Sequence, residues 1–127
     1  MSVGQNRKTK QRDALREVLE HSKRPLSVAE LQELASELVD GLGIATVYRT
    51  VAALLEDGWL DAVDIPGEPS RYERSNKGHH HHFQCDKCER AFDIAGCIDN
   101  LRKLVPPQFR IRRHSVTVYG LCDSCAR

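Results

Sequence analysis

The sequence predicts an α+β chain in two parts, helices leading and strands following, with a metal centre in the second part. Three observations carry this reading. Apolar residues recur at helical spacing through the first half. The period then changes around a turn cluster, Pro66-Gly67-Glu68-Pro69. Beyond it, five of the six histidines and all five cysteines lie after residue 78.

Each element has its own reason. Thr9 is placed to cap a helix over Lys10–His21 with Leu15, Val18 and Leu19 on its inner face, and Pro25 ends the connection. Ser27-Val28-Ala29-Glu30 is a capping box, in which a hydroxyl and a carboxylate satisfy the free N–H groups of a helix start. The helix it opens carries Leu31, Leu34, Ala35 and Leu38, and Gly41 and Gly43 break it. A third helix starts near Ala45 or Thr46, places Val47, Val51, Leu54 and Leu55 on one face, and stops before Gly58. Trp59–Ile65 alternates as a strand and Arg71–Arg74 returns as its partner. Three helices followed by a β-hairpin form the layout of a winged helix-turn-helix over residues 1–74. Residues 75–78, Ser-Asn-Lys-Gly, read as a linker. Residues 79–127 read as strand (His82–Cys85), knuckle, strand (Ala91–Ile94), helix (Ile98–Val105), a Pro106-Pro107 break, and a long strand (Phe109–Leu121). In that last strand His114, Val116 and Val118 share one face.

Composition bounds the function. The 127 residues suffice for one domain or two very small ones. The longest near-apolar stretch, Val51–Leu55, is far short of the ~20 residues of a membrane span. Met1–Lys10 is polar and basic, so no secretory signal is expected and the protein is placed in the cytoplasm, without a membrane partner. Basic and acidic residues nearly balance, 19 against 18, yet Arg7–Arg24 holds seven basic and three acidic residues, a local excess of +4. A solvated helix face and a nucleic-acid arm both fit that excess.

Cys85-Asp-Lys-Cys88 and Cys122-Asp-Ser-Cys125 can supply four thiolates to one tetrahedral ion, with 33 residues between the pairs. Zinc fits, because it is borderline-soft and its geometry does not oppose four sulfurs. A coordination sphere closed by four cysteines makes this ion structural, and disulfides are disfavoured in the cytoplasm. On a strand, the run His79-His80-His81-His82 would send His79 and His81 to one face and His80 and His82 to the other, so that one run serves two metal sites. A polar surface tract is the competing reading.

Gly43-Ile44-Ala45-Thr46-Val47-Tyr48-Arg49-Thr50, followed by the histidine run and Phe83-Gln84-Cys85-Asp86-Lys87-Cys88, closely resembles the ferric uptake regulator (Fur) family. So do Thr9-Lys10-Gln11-Arg12 and the closing His114…Tyr119-Gly120-Leu121-Cys122…Cys125, which extends the resemblance over about residues 7–127. It implies a cytoplasmic, homodimeric, metal-dependent transcription factor, usually a repressor, with an N-terminal winged helix and a C-terminal α/β dimerisation domain. It implies one structural Zn(2+) per chain at Cys85, Cys88, Cys122 and Cys125. It implies a second dimerisation-domain site at His79, His81 and His114, with Asp99 as acidic ligand if one residue is deleted near Gly96. The regulatory hinge site matches His80 and His82 with Glu73; Asp93 stands where some members add a carboxylate, and Asp61 where zinc-sensing members have an aspartate. The sequence departs from the family in three places. Arg24-Pro25-Leu26 offers no donor before the second helix, Ser75 stands where zinc sensors commonly have Cys, and the extra leading helix of many members is missing.

The regulatory metal is therefore Zn(2+) or Fe(2+)/Mn(2+), with zinc sensing the favoured reading and an iron- or manganese-loaded regulator the alternative. Asp61, Glu73, His80 and His82 would make a zinc tetrahedron; Glu73, His80, His82, Asp93 and water would suit iron. Cys97 is a small buried hydrophobe or a soft ligand near Asp99 and His114, and the soft-ligand reading leans to zinc. Peroxide sensing by histidine oxidation beside iron is the alternative. For DNA, the third helix is the recognition helix: Arg49 could bind guanine, Tyr48 could pack on a thymine methyl or in the core, and Thr46 lies in the same first turns. Arg7, Lys8, Lys10 and Arg12 would meet phosphates or an A·T-rich minor groove. A two-fold dimer implies an A·T-rich inverted-repeat operator. A hydrolytic zinc enzyme finds no nucleophile or open coordination position in the sequence. A metal buffer without a specific DNA target is the other alternative.

Overall fold

A computed structural model of the chain describes residues 3–75 and 77–127, with side chains from Arg7 onward. Met1, Ser2 and, in the expected linker, Asn76 lie outside the described residues. The chain divides into two compact units, Met1–Lys77 and Gly78–Arg127.

The first unit opens with helix α1, Val3–His21. It starts well before the expected Lys10, so Thr9 lies inside the helix and caps nothing. The segment ahead of Thr9 holds no proline to stop the helix. The helix is pinned from its middle: buried Gln11 donates from Nε2 to the carbonyls of Asp40 (3.3 Å) and Gly41 (3.1 Å). After a two-residue strand β1, Leu26–Ser27, helix α2 runs Val28–Ala35. The capping box is complete, with the Glu30 N–H donating to Ser27 Oγ (3.2 Å) and the Ser27 N–H to Glu30 Oε1 (3.1 Å). Arg24 pairs with the same carboxylate. The carboxyl of Glu30 is partly buried, which disfavours its charge, but the Ser27 N–H and Arg24 outweigh this and hold its pKa below the usual value.

Helix α2 is shorter than the apolar spacing suggests. Past Ala35 the chain tightens into turns, with Leu38 N–H bonding the Ala35 carbonyl at 3.0 Å, and Leu38 is 59% exposed rather than in the core. Helix α3, Ile44–Glu56, buries Val47, Thr50, Val51 and Leu54, and Gly58 at φ +76° follows its C-cap, as a left-handed helix stop favours. Strands β2 (Leu60–Val63) and β3 (Arg71–Arg74) pair antiparallel, with Asp61 opposite Glu73. β1 adds to the other side of β3, giving the order β1-β3-β2. The core gathers Leu15 and Leu19 of α1, Leu31 and Ala35 of α2, Val47, Val51 and Leu54 of α3, and Leu26 and Leu60 of the sheet. Arg74 clamps the hairpin to α1: its Nε meets Glu20 at 2.9 Å and its guanidinium stacks over Trp59 at 4.0 Å. This is the winged helix-turn-helix layout.

The second unit is a three-stranded sheet of order β5-β4-β6: β4 His81–Cys85, β5 Ala91–Ile94 and β6 Thr117–Gly120. β5 joins β4 antiparallel and β6 joins it in parallel, with Phe83 opposite Val118. Two expectations fail here. In place of a helix over Ile98–Val105 there is a 3-10 turn, Leu101–Leu104; Asn100 enters it in the left-handed region (φ 66°) and Pro106 follows Val105. In place of a strand over Phe109–Leu121 only β6 is paired, because nothing among the described residues of the unit lies alongside residues 109–115 to bond them. Among the described residues of this unit only His81, Gln84, Cys85 and Ala91 are buried. Such a unit has almost no apolar interior of its own and needs another source of stability. No helix among the described residues is long and apolar enough to cross a membrane.

Candidate metal centres and nucleic-acid interface

The four cysteines of the two C-x-x-C pairs meet. Cys85 ends β4, Cys88 follows in the knuckle, and Cys122 and Cys125 lie just past β6; their sulfurs are all within 4.8 Å of one another. The Cys88 and Cys122 sulfurs are 3.9 Å apart, whereas a disulfide needs ~2.05 Å. A tetrahedron with zinc–sulfur bonds of ~2.3 Å puts its sulfurs about 3.8 Å apart. The donor set therefore fits a structural Zn(2+). Backbone N–H groups converge on Cys85 Sγ, from Cys122 at 3.4 Å and Cys88 at 3.5 Å, and they bring its pKa down to about 6. Cys125 is pushed up to about 12 by its hydrogen bond with Cys122 and by burial. Crowded thiols cannot all ionise alone; a divalent cation between them is what would make four thiolates stable.

The histidine run, whose last two members open β4, divides alternately between two donor groups. On one side, His79, His81 and His114 come together, and the fourth member of the group is Cys97. Cys97 Sγ lies 3.3 Å from His79 Nε2, 3.2 Å from His81 Nε2 and 3.3 Å from His114 Nε2, and His114 Nε2 is 3.1 Å from His79 Nε2. Asp99, expected as the acidic ligand, is exposed and not among the grouped donors. The reason is local: a left-handed turn at Asn100 directly follows Asp99, and the segment reaches the histidines two residues earlier. Cys97 is exposed, not a core residue. His81 is 3% exposed; burial, then the neighbouring His79 and His114, push its pKa down and keep the ring neutral, the form that binds metal.

On the other side, His80 and His82 share the carboxylate of Asp93 on β5, which lies opposite His82 in the sheet. The His82 Nε2 to Asp93 Oδ1 distance is 3.4 Å and that of His80 Nε2 is 3.7 Å. In the first unit, Glu73 is buried in β3 with Lys77 Nζ 3.5 Å from its Oε2. Asp61, its cross-strand neighbour, accepts a hydrogen bond from Ser75 Oγ at 3.0 Å.

The first unit also carries a basic depression. Lys8 and Arg12 of α1 line it together with Thr46, Arg49, Thr50 and Ala53 of α3. Arg49 donates from Nη2 to Thr46 Oγ1 at 3.2 Å, one turn back on the helix. Tyr48 is 58% exposed, so it is not a core residue. Lys10 is exposed on α1, and the Arg7 guanidinium lies over Gly41, where a Cβ would come within 2.2 Å of its Nη2. The expected elements left out β1, which exists only by pairing with β3, and the Arg24–Glu30 pair, which spans six residues across the start of α2.

Comparison with known proteins agrees with this geometry. The ferric uptake regulator family profile matches residues 4–119. The ferric uptake regulation protein of Campylobacter jejuni is 32% identical over 124 residues, covering 92% of this chain and 78% of that one. That of Bacillus subtilis is 31% identical, covering 92% and 83%. Among solved structures, the Helicobacter pylori ferric uptake regulator, described as having three functional metal-binding sites, superposes with a TM-score of 0.74 at 26% identity, over 93% of this chain and 81% of that one. A zinc-bound manganese uptake regulator superposes with a TM-score of 0.76 at 26% identity, over 89% and 88%. Proteins of this kind regulate by binding DNA as dimers and are not enzymes. By its profile, its winged helix and its four-cysteine cluster, the chain belongs to the ferric uptake regulator family of metal-dependent, DNA-binding transcriptional regulators.

Proposed function

We propose that this regulator is a repressor whose hinge site takes Fe(2+) or Mn(2+) through Glu73, His80, His82 and Asp93. The observation that carries the choice of metal is the Asp93 carboxylate between His80 and His82. Two imidazoles and a carboxylate on one face, with Glu73 added from the winged unit and water completing the shell, suit five- or six-coordinate iron or manganese. Cys97, the soft donor expected near Asp99 and His114, groups with His79, His81 and His114 and adds no sulfur to the His80–His82 set. A second reading, tetrahedral zinc with Asp61 in place of Asp93, is favoured by the register that sets Asp61 opposite Glu73; the Ser75 hydroxyl already engages that carboxylate.

When bound, the divalent cation supplies the charge that draws carboxylates of the two units together. Glu73, one residue before the end of β3, would hold the winged unit while His80, His82 and Asp93 hold the sheet unit. The closed arrangement binds metal better than the open one, so metal shifts the population, and DNA tightens metal binding by the same factor. At the operator, Arg49 reads a base edge, Tyr48 and Thr46 pack beside it, and Arg7, Lys8, Lys10 and Arg12 meet phosphates of an A·T-rich inverted repeat. The dimer forms through the second unit, where Leu104, Phe109, Ile111, Val118, Tyr119 and Leu121 are all more than a third exposed in a single chain.

The test is an anaerobic titration of protein retaining its structural zinc with Zn(2+), Fe(2+) and Mn(2+) at buffered free metal, read by binding to an A·T-rich inverted repeat. Activation by Fe(2+) or Mn(2+) with Asp93→Ala abolishing it supports the proposal. Activation by Zn(2+) alone, lost in Asp61→Ala and kept in Asp93→Ala, overturns it.

A further inference from the structure

The resemblance implies a carboxylate ligand, Asp99, beside His79, His81 and His114, and this chain supplies sulfur there. We infer that Cys97 makes His79, His81 and His114 into a closed three-imidazole, one-thiolate site selective for a tetrahedral zinc-class cation over iron(II) and manganese(II). The inference does not rest on the hinge reading, because the two sets share no residue.

The geometry is that of four donors around one small centre. Cys97 Sγ touches all three Nε2 atoms at 3.2–3.3 Å. A regular tetrahedron with zinc bond lengths puts nitrogens about 3.3 Å apart and nitrogen and sulfur about 3.6 Å apart. A cation entering the group would need a small outward shift of the side chains and, at His81, the ring proton on Nδ1, where the Val116 N–H now donates at 3.1 Å. His81, buried with its Nε2 turned to Cys97, sets the floor of the site, while His79, Cys97 and His114 are exposed and can adjust.

The donor types decide the metal. Iron(II) and manganese(II) gain from carboxylate and water oxygens and from five or six ligands. Here every donor is nitrogen or sulfur, and four of them complete a tetrahedron. Zinc accepts such a shell without penalty, and cobalt(II) follows it as a spectroscopic stand-in. The unit then has two zinc-class sites of different character: four sulfurs behind Cys85, and three nitrogens with one sulfur at Cys97. The second site ties β4 through His81, and the residue His79 just ahead of it, to Cys97 and to His114, the stretch in which the expected helix and strand do not form.

The experiment uses the full chain with its four-cysteine zinc retained, titrated with cobalt(II). The expected result is one equivalent per chain, over and above any cobalt taken by the hinge set, with intense tetrahedral visible bands and a near-ultraviolet sulfur-to-cobalt band, both displaced by zinc and not by excess manganese(II). In Cys97→Ser the charge-transfer band disappears and zinc affinity falls at least about 100-fold, since losing even an outer-shell partner costs about 10–100-fold. Cys97→Asp restores a ligand without the band and lets manganese(II) compete. As a check on unmutated protein, zinc should protect Cys97 from iodoacetamide, located by peptide mass. A cobalt spectrum identical in the native chain and Cys97→Ser, equal manganese(II) displacement in the native chain and Cys97→Asp, or alkylation of Cys97 unaffected by zinc would each overturn the inference.

Discussion

Replacing Lys8 and Arg12 together by alanine tests whether the basic depression of the winged unit is the phosphate-contacting surface. Both side chains line the same depression as Thr46 and Arg49, and both are exposed on α1. Exposed substitutions of this kind change folding stability by within about 0.5 kcal/mol, so the effect should fall on DNA binding. A two-fold dimer loses four charges. Each neutralised phosphate contributes ~0.9 to the slope of log K against log salt, so the slope should flatten by about 3.6. Between about 50 and 200 mM salt, the affinity of the parent protein should then fall about 150-fold more than that of the variant. Fluorescence anisotropy on an inverted-repeat duplex, with metal saturating throughout, measures this directly. Parallel salt slopes for parent and variant would refute the reasoning, even if the variant bound more weakly, because weaker binding with the same slope means that no phosphate contact was lost.

Other outcomes are expected at other sites. Cys88→Ser should strip the structural zinc and collapse or monomerise the second unit, since so few of its residues are buried and a zinc of this type supplies about 10–16 kcal/mol of folding free energy; gel filtration with metal analysis checks it, and a stable zinc-free dimer would count against it. The double change His80→Ala, His82→Ala should abolish metal-dependent DNA binding while leaving the thiolate-bound zinc in place, and an unchanged metal response would sink the hinge site. Arg49→Ala should cost about 1–3 kcal/mol and relax specificity at one base pair, with uniform weakening on all sequences pointing to a backbone contact instead. Glu30→Ala should destabilise the winged unit by about 1–2 kcal/mol near neutral pH. Because the folded pKa of Glu30 is depressed, its contribution is present above the unfolded carboxylate value and lost as pH falls through the folded one; acid titration of stability should therefore be shallower in the variant than in the parent.

What the sequence made legible was what acts over short spans. The capping box of Ser27 and Glu30 closes within three residues, and both bonds form. The two C-x-x-C pairs and the alternation of the histidine run fix which donors can meet, whatever the details of the fold between them. Features that depend on distant cover were harder to see. The strand β1 exists only because Leu26 and Ser27 find Tyr72 and Arg71. Leu38 has the right spacing for the core, yet the helix has tightened into turns before reaching it. The apolar residues between Ile98 and Leu121 suggested a helix and a long strand, but within one chain little packs on them, and regular structure there is confined to a turn and β6. Cys97 and Asp99 posed a different problem. They lie two residues apart, so alternation treats them alike, and only the left-handed turn at Asn100 separates them.

The parallel pairing of β6 with β4 also governs how the protein is made. A parallel pair cannot close until the whole crossover between its strands has been synthesised. Cys88 leaves the ribosome 34 residues ahead of Cys122, so during translation the first thiol pair waits without the second. The winged unit, held by nearby helices, completes its fold meanwhile. Without zinc, the second unit, so few of whose residues are buried, would stay open to proteases while the first keeps its own core.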